Sequence, residues 1–343
     1  MVFRQVKQTP GNNKLPGVPL KETGMKIALT PLLILILLFP HNGMSQEAYP
    51  YPVKYIQIQA QQQHFRTAYM DISPEKSKHN KVALLLHGKN FNGYYWKDVV
   101  PYLLDKGYRV IVPDQVGWGK SDKPEIHYSF HELATYTRML LDSLHIGKVT
   151  IIGHSMGGML ATRFTLMYPD ITDKLILEDP IGLEDYREFV PYASVDQQYA
   201  SELDATFDSY KSYMKGYFPE WKQSYDELVR QQAAALKDPD FPRIALVNTL
   251  TYEMIYEQPV CYEFKDIKKK TLLIVGSKDK TIPGKVLITR KVQKKHGQYQ
   301  KLGKDVQLQM SRCQLVELDG IGHIPHIQDL NKFEKAIDIF LEQ

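Results

Sequence analysis

Three residues far apart in the sequence are best suited to joint chemistry: a serine, an aspartate and a histidine. Ser155 lies in Gly153-His154-Ser155-Met156-Gly157, directly after the apolar run that begins at Val149 and ahead of a helix expected to start near Met159. A serine at such a strand-to-helix junction sits on a strained turn that pushes its Oγ outward. The flanking glycines leave room where the turn crowds strand against helix. The N–H of Met156 then faces the place where an oxyanion would form, beside a helix N-terminus. A serine hydroxyl needs a base, and the base needs an orienting acid. Leu272-Leu-Ile-Val-Gly-Ser-Lys-Asp279 sets a carboxyl group just past an apolar run. Leu315-Val-Glu-Leu-Asp-Gly-Ile-Gly-His323 sets an imidazole in a glycine-loosened loop after the next one. Ser155, Asp279 and His323 are therefore the expected catalytic residues.

Each has a rival. His326 follows His323 by three residues, but Pro325 intervenes and only His323 follows the Gly-Ile-Gly turn. Asp179 ends the preceding apolar run and is an alternative acid, or else a turn residue. His154 adjoins Ser155 but should point away from it, which makes it a packing residue. His87-Gly88-Lys89-Asn90 follows the run Val82 to Leu86, so the Lys89 N–H is the expected second oxyanion donor. The glycine-loosened segment Asp114 to Ser121 reads as architectural.

These residues must be positioned by regular elements. The stretches 54–60 and 64–73 read as an opening hairpin. Short apolar runs follow at 82–86, 109–113, 149–153, 175–178, 272–275 and 314–318. Unbroken runs of this kind suit strands buried on both faces, as in a parallel sheet. Leu133, Tyr136, Leu140, Leu141 and Leu144 form a helical stripe between them, as do Phe333, Ile337, Phe340 and Leu341 near the C-terminus. Strands alternating with helices define an α/β architecture with right-handed crossovers. The interval from Asp179 to Thr271 breaks the alternation and is dense in tyrosine, including Tyr213, Tyr217, Tyr252 and Tyr256. A structureless loop of that length is improbable, so a helical insertion over one end of the sheet is expected. Residues 297–311 read as a polar insertion between Asp279 and His323.

The charge distribution excludes one class of partner. The chain of 343 residues carries a formal charge of +4, but Arg4, Lys7, Lys14, Lys21 and Lys26 against Glu22 account for all of it. The remainder is neutral and offers no electrostatic footprint for nucleic acid. Lys21 and Lys26 precede an apolar run from Ile27 to Phe39, followed by Pro40 and a polar stretch with Gly43 and Ser45. That order is the order of a secretory signal, and the run falls short of the ~20 apolar residues of a membrane span. Export to the periplasm or medium after cleavage near Ser45 is expected, with no stable membrane insertion; an uncleaved anchor is the alternative, and Met1 and Met25 are both candidate starts. Cys261 and Cys313 are the only cysteines, lack metal-like spacing and read as packing residues, although an oxidising compartment would permit pairing.

Taken in order, His87-Gly88, the Asp114 to Ser121 loop, the Ser155 elbow, Gly276-Ser-Lys-Asp279 and Gly322-His323 give residues 53–343 a clear resemblance to the α/β-hydrolase superfamily. The chain resembles in particular the cap-containing branch of small-molecule esterases, epoxide hydrolases and cofactor-free haloperoxidases. The resemblance implies an eight-stranded, mostly parallel sheet flanked by helices, with core segments 46–180 and 266–343 and a helical cap at 181–265 after the sixth strand. Epoxide hydrolases and haloalkane dehalogenases carry Asp at the elbow, so Ser155 argues against both. The expected activity is hydrolysis of a small-molecule ester, lactone or amide through an acyl-enzyme, with no metal or organic cofactor. Alternatives that keep the same triad are C–C bond hydrolysis, perhydrolysis (haloperoxidase chemistry) and aminopeptidase action. A non-catalytic binding protein on the same fold is a further alternative, and oligomeric state is left open.

Overall fold

The computed structural model describes residues 49–75 and 81–342, and the expected signal at 1–45 lies outside the described residues. Its strands are β1 (Val53–Ala60), β2 (Gln63–Ile72), β3 (Val82–Leu86), β4 (Arg109–Pro113), β5 (Val149–His154), β6 (Thr172–Glu178), β7 (Lys270–Gly276) and β8 (Cys313–Leu318). They form one sheet in the order β1-β2-β4-β3-β5-β6-β7-β8. The β1–β2 hairpin pairs antiparallel, β2 meets β4 antiparallel, and every later neighbour is parallel. The expected eight-stranded, mostly parallel sheet is therefore present.

The apolar runs are continuous because each strand feeds two cores. On β3, Leu84 and Leu86 enter one cluster while Ala83 and Leu85 enter the other; on β7, Leu273 and Val275 oppose Leu272 and Ile274. Side chains two apart share a face, so a strand covered on both sides favours an apolar residue at most of its positions. One face is covered by α2 (Phe130–Ser143) and α3 (Met156–Met167), which contribute Phe130, Leu140 and Phe164. The other is covered by α1 (Val99–Asp105) and, at the C-terminus, a helix at Leu330–Leu341, which contribute Leu103, Phe333 and Phe340. Ser129 starts α2 by accepting the Glu132 N–H at 3.1 Å, which satisfies one of the open donors of the first turn.

Between β6 and β7 the chain forms α4 (Val195–Leu203), α5 (Phe207–Lys215), α6 (Asp226–Ala233) and α7 (Phe241–Glu257), with no strand among them. Capping boxes at Ser194 with Gln197 and at Thr206 with Ser209 start α4 and α5. After β7 come a short α8 (Arg290–Gln293) and α9 (Tyr299–Gln309); after β8 come α10 (Pro325–Gln328) and the C-terminal α11 (Leu330–Leu341).

Two expectations are corrected here. Residues 297–311 are not a polar insertion lying apart from the core. They hold α9, because Tyr299, Leu302 and Val306 recur at helical spacing and face the sheet, with Tyr299 and Val306 buried. The helix after the elbow starts at Met156 rather than near Met159, because the whole turn is accomplished by Ser155 alone. Cys261 and Cys313 are both free thiols, half-buried against the core, as packing residues should be. Among the described residues no helix is long and apolar enough to cross a membrane.

Candidate active site

The elbow is built by close contact. Ser155 takes φ 55° and ψ −120°, a region an L-residue enters only under constraint. The constraint is the approach of β5, α3 and β3. A Cβ on Gly153 would lie 2.3 Å from the Gly157 oxygen, and one on Gly157 would lie 2.1 Å from the Leu86 oxygen. Any side chain at either position would force the helix off the sheet. The Ser155 N–H donates to the Glu178 carbonyl at 3.1 Å, tying the turn to β6. Ser155 is 6% exposed.

His323 and Asp279 arrive from the loops after β8 and β7, at the sheet edge where the elbow also stands. His323 Nε2 lies 2.9 Å from Ser155 Oγ, and its Nδ1 lies 2.7 Å from Asp279 Oδ2. The carboxylate only accepts, so Nδ1 carries the hydrogen and Nε2 is left to accept from the serine hydroxyl. Asp279 Oδ1 takes the Thr281 N–H at 2.8 Å. Burial works to raise the Asp279 pKa, but the adjacent His323 and the hydrogen bonds from His323 and Thr281 together hold it below the usual carboxylate range. The structure thus brings the three predicted residues into one hydrogen-bonded line.

The fourth and fifth predicted residues flank that line. A Cβ on Gly88 would stand 3.2 Å from Ser155 Cβ, so the loop carrying Lys89 lies directly against the elbow. The loop is held by His87, whose Nε2 accepts the Gln115 N–H at 3.0 Å, and by Trp118, whose Nε1 donates to the Lys89 carbonyl. Neither the Lys89 nor the Met156 N–H donates to a loop or turn carbonyl among the described residues. The Asp114 segment is architectural as expected: Asp114 accepts from Gly93 N at 2.7 Å, Lys120 N at 2.7 Å and Tyr49 Oη at 2.6 Å.

The rivals fall elsewhere. His326 is not at the serine: it stacks on Trp96 at 4.4 Å and pairs through Nδ1 with Glu178 at 2.9 Å. Asp179 lies beside Asp279, but Asp279 holds the imidazole. His154 requires a correction, since it does more than pack. Its Nε2 lies 2.7 Å from the His323 carbonyl and its Nδ1 lies 3.1 Å from Tyr95 Oη. Tyr95 Oη accepts the Gly88 N–H at 3.0 Å, so its own hydrogen goes to His154 Nδ1 and the Nε2 hydrogen goes to His323. Burial, with the nearby imidazoles His323 and His326 next in weight, holds the His154 pKa well below its ordinary value, in keeping with this neutral form. A second unforeseen partner is Tyr217, from the segment between α5 and α6. Its carbonyl accepts the His323 N–H at 2.7 Å, and its hydroxyl accepts from Asn90 Nδ2 at 3.0 Å. Nothing in the local sequence marks Tyr95 or Tyr217, because both contacts cross long stretches of chain.

Comparison with known proteins places the fold. Residues 82–296 match a family model described as the alpha/beta hydrolase fold. A solved structure of a probable hydrolytic enzyme from Pseudomonas aeruginosa PAO1 is 39% identical, with a TM-score of 0.82, covering 84% of this chain and 94% of that one. A 2-hydroxy-6-oxononadienedioate/2-hydroxy-6-oxononatrienedioate hydrolase of Burkholderia vietnamiensis is 28% identical over 67% of this chain and 80% of its own. An uncharacterized protein of Mycobacterium tuberculosis is 44% identical over 102 residues, and that match spans 30% of each chain. With a matching model over more than half its length, and the sheet order and elbow described above, the chain belongs to the α/β-hydrolase family.

Proposed function

We propose that the protein is a serine hydrolase that transfers the acyl group of a small-molecule ester, lactone or amide to water. The observation that carries this is the line Asp279–His323–Ser155, with hydrogen-bond separations of 2.7 and 2.9 Å. In this reading Ser155 Oγ attacks the carbonyl carbon while its proton passes to His323 Nε2. Asp279 stabilises the resulting imidazolium. The N–H groups of Met156 and Lys89 receive the oxyanion, and removing one such donor typically costs about 10²–10³ in kcat. The imidazolium then protonates the leaving group, the carbonyl re-forms as an acyl-enzyme on Ser155, and water enters by the same route in reverse.

A second reading keeps these residues and changes the bond. The Burkholderia relative hydrolyses a 2-hydroxy-6-oxo dienedioate, and that resemblance favours hydrolytic C–C cleavage next to a ketone as the alternative. Both readings are tested with one series. The full chain is assayed on p-nitrophenyl esters of increasing acyl length and on a 2-hydroxy-6-oxo dienedioate, with Ser155→Ala as control. Ester turnover that falls by about 10⁴–10⁶ in the control supports the first reading. Turnover of the dienedioate alone moves the assignment to the second, and turnover equal to the control on every substrate removes both. Export is part of the proposal: the mature N-terminus is expected near Gln46, and a recovered chain that still carries residues 25–45 would withdraw it.

A further inference from the structure

Asp179 has one carboxyl oxygen engaged in the fold and one that the fold leaves unused. It follows β6 in a left-handed backbone conformation, φ 37°, which a non-glycine residue holds only when its surroundings impose it. Its carboxyl is fully buried. Oδ1 accepts the Gly276 N–H at 2.9 Å, but Oδ2 has no hydrogen-bond partner among the described residues. A buried carboxylate oxygen without a donor is destabilising, because the water it gave up is not replaced. A carboxyl oxygen of Asp179, one of Asp279 and a ring nitrogen of His323 nevertheless lie within 4.8 Å of one another. Two carboxyl groups that close and both buried strongly disfavour a second negative charge. Asp279 is committed to the charged form by its bonds from His323 and Thr281. The proton of the pair therefore belongs to Asp179.

We propose that Asp179 is a positioning residue that keeps its proton and donates it from Oδ2 to the Asp279 carboxylate, so that two carboxyl groups and one negative charge hold His323. No bond is broken and no proton is lost in turnover; the shared hydrogen satisfies the orphan oxygen and fixes the rotation of Asp279. The groups facing Asp179 are consistent with this. Asp279 from the loop after β7 and Glu178 on its own strand are acidic, His323 comes from the loop after β8, and Tyr299 from α9 is neutral. Burial first, and the Asp279 charge second, push the Asp179 carboxyl well above the usual carboxylate range.

The proposal rests on the reading of Asp279–His323–Ser155 given above, and two readouts separate them. Asparagine reproduces a protonated Asp179: its Oδ1 accepts from Gly276 and its Nδ2 donates to Asp279. Ser155 labelling by a small fluorophosphonate is measured for the full chain, for Asp179→Ala and for Asp179→Asn. Alanine is expected to slow labelling about tenfold or more, and asparagine to restore it to within about threefold of wild type. Labelling that stays slow with asparagine means that an anionic Asp179 is required; labelling unchanged by alanine means that Asp179 does not act on the site. Either result overturns the proposal. The second readout, which needs no reactive serine and no folded alanine variant, is the downfield Nδ1–H resonance of His323. It is expected to keep its wild-type position in Asp179→Asn, and its displacement or loss overturns the proposal. If wild type fails to label while the resonance is retained, the nucleophile reading fails and the carboxyl pair stands.

Discussion

His323 is held at four atoms by three separate parts of the chain, the elbow supplying two of the contacts. Asp279 takes its Nδ1–H, Ser155 faces its Nε2, His154 donates to its carbonyl and Tyr217 accepts its N–H. The imidazole thus has a fixed tautomer, and its backbone has no freedom to rock as charge develops. His154→Phe preserves most of the volume but leaves the His323 carbonyl without its donor. We expect a loss of about 10–100-fold in kcat with a smaller change in KM, since the base is displaced while the substrate contacts remain. Steady-state kinetics on the preferred ester would read this split, and a change confined to KM would remove the positioning role of His154. The same residue marks the edge of what a sequence can disclose. Ser155, Asp279 and His323 are legible because each follows an apolar run in a glycine-punctuated loop, a local pattern. The roles of His154 and Asp179 are not, because they depend on atoms brought from positions 95, 276, 279 and 323. Residue type at those sites says only that something polar is buried.

Elements show a similar division. The parallel strands were readable because double-sided burial leaves long apolar runs. Helix α9 was not, since its narrow apolar stripe of Tyr299, Leu302 and Val306 is diluted by lysines and glutamines. How the hairpin joins the parallel part was equally hidden. Asp71 on β2 accepts from Arg109 Nε on β4 at 2.8 Å and from Lys54 Nζ on β1 at 2.9 Å, clamping three strands. Burial works to raise its pKa, but the bonds from Arg109 and Lys54 outweigh it and hold it below the ordinary value. A depressed carboxylate pKa adds stability that is fully present above the unfolded-state value and is lost as pH falls towards the folded one. Asp71→Asn is therefore expected to lower stability by about 1–2 kcal/mol at neutral pH, with the gap to wild type closing only below about pH 4. Urea unfolding across that range tests it; a gap that is the same at pH 7 and pH 3.5 would show that the clamp is not electrostatic.

Over the whole molecule, the segment inserted between β6 and β7 and the sheet edge meet at the reacting groups. Ser155 is 6% and His323 1% exposed, so a bulky molecule reaches them only if their surroundings shift, the segment carrying Tyr217 among them. The bond from Asn90 to the Tyr217 hydroxyl and that from Gln232 to Asn90 oppose the shift. Asn90→Ala cuts both, and the rate of labelling by a long-chain fluorophosphonate relative to a short one is expected to rise several-fold. An unchanged ratio would mean that entry does not depend on this latch. The Tyr217 carbonyl has a different consequence, which concerns what can be exchanged. Because it holds the His323 N–H, the segment inserted between β6 and β7 also completes the seating of this imidazole. The insertion is thus not an interchangeable module. A chimera that transplants a relative's insertion onto this sheet to acquire a new substrate range would inherit a foreign carbonyl at His323, and changes in specificity would carry changes in rate with them unless the backbone at position 217 came through the graft intact.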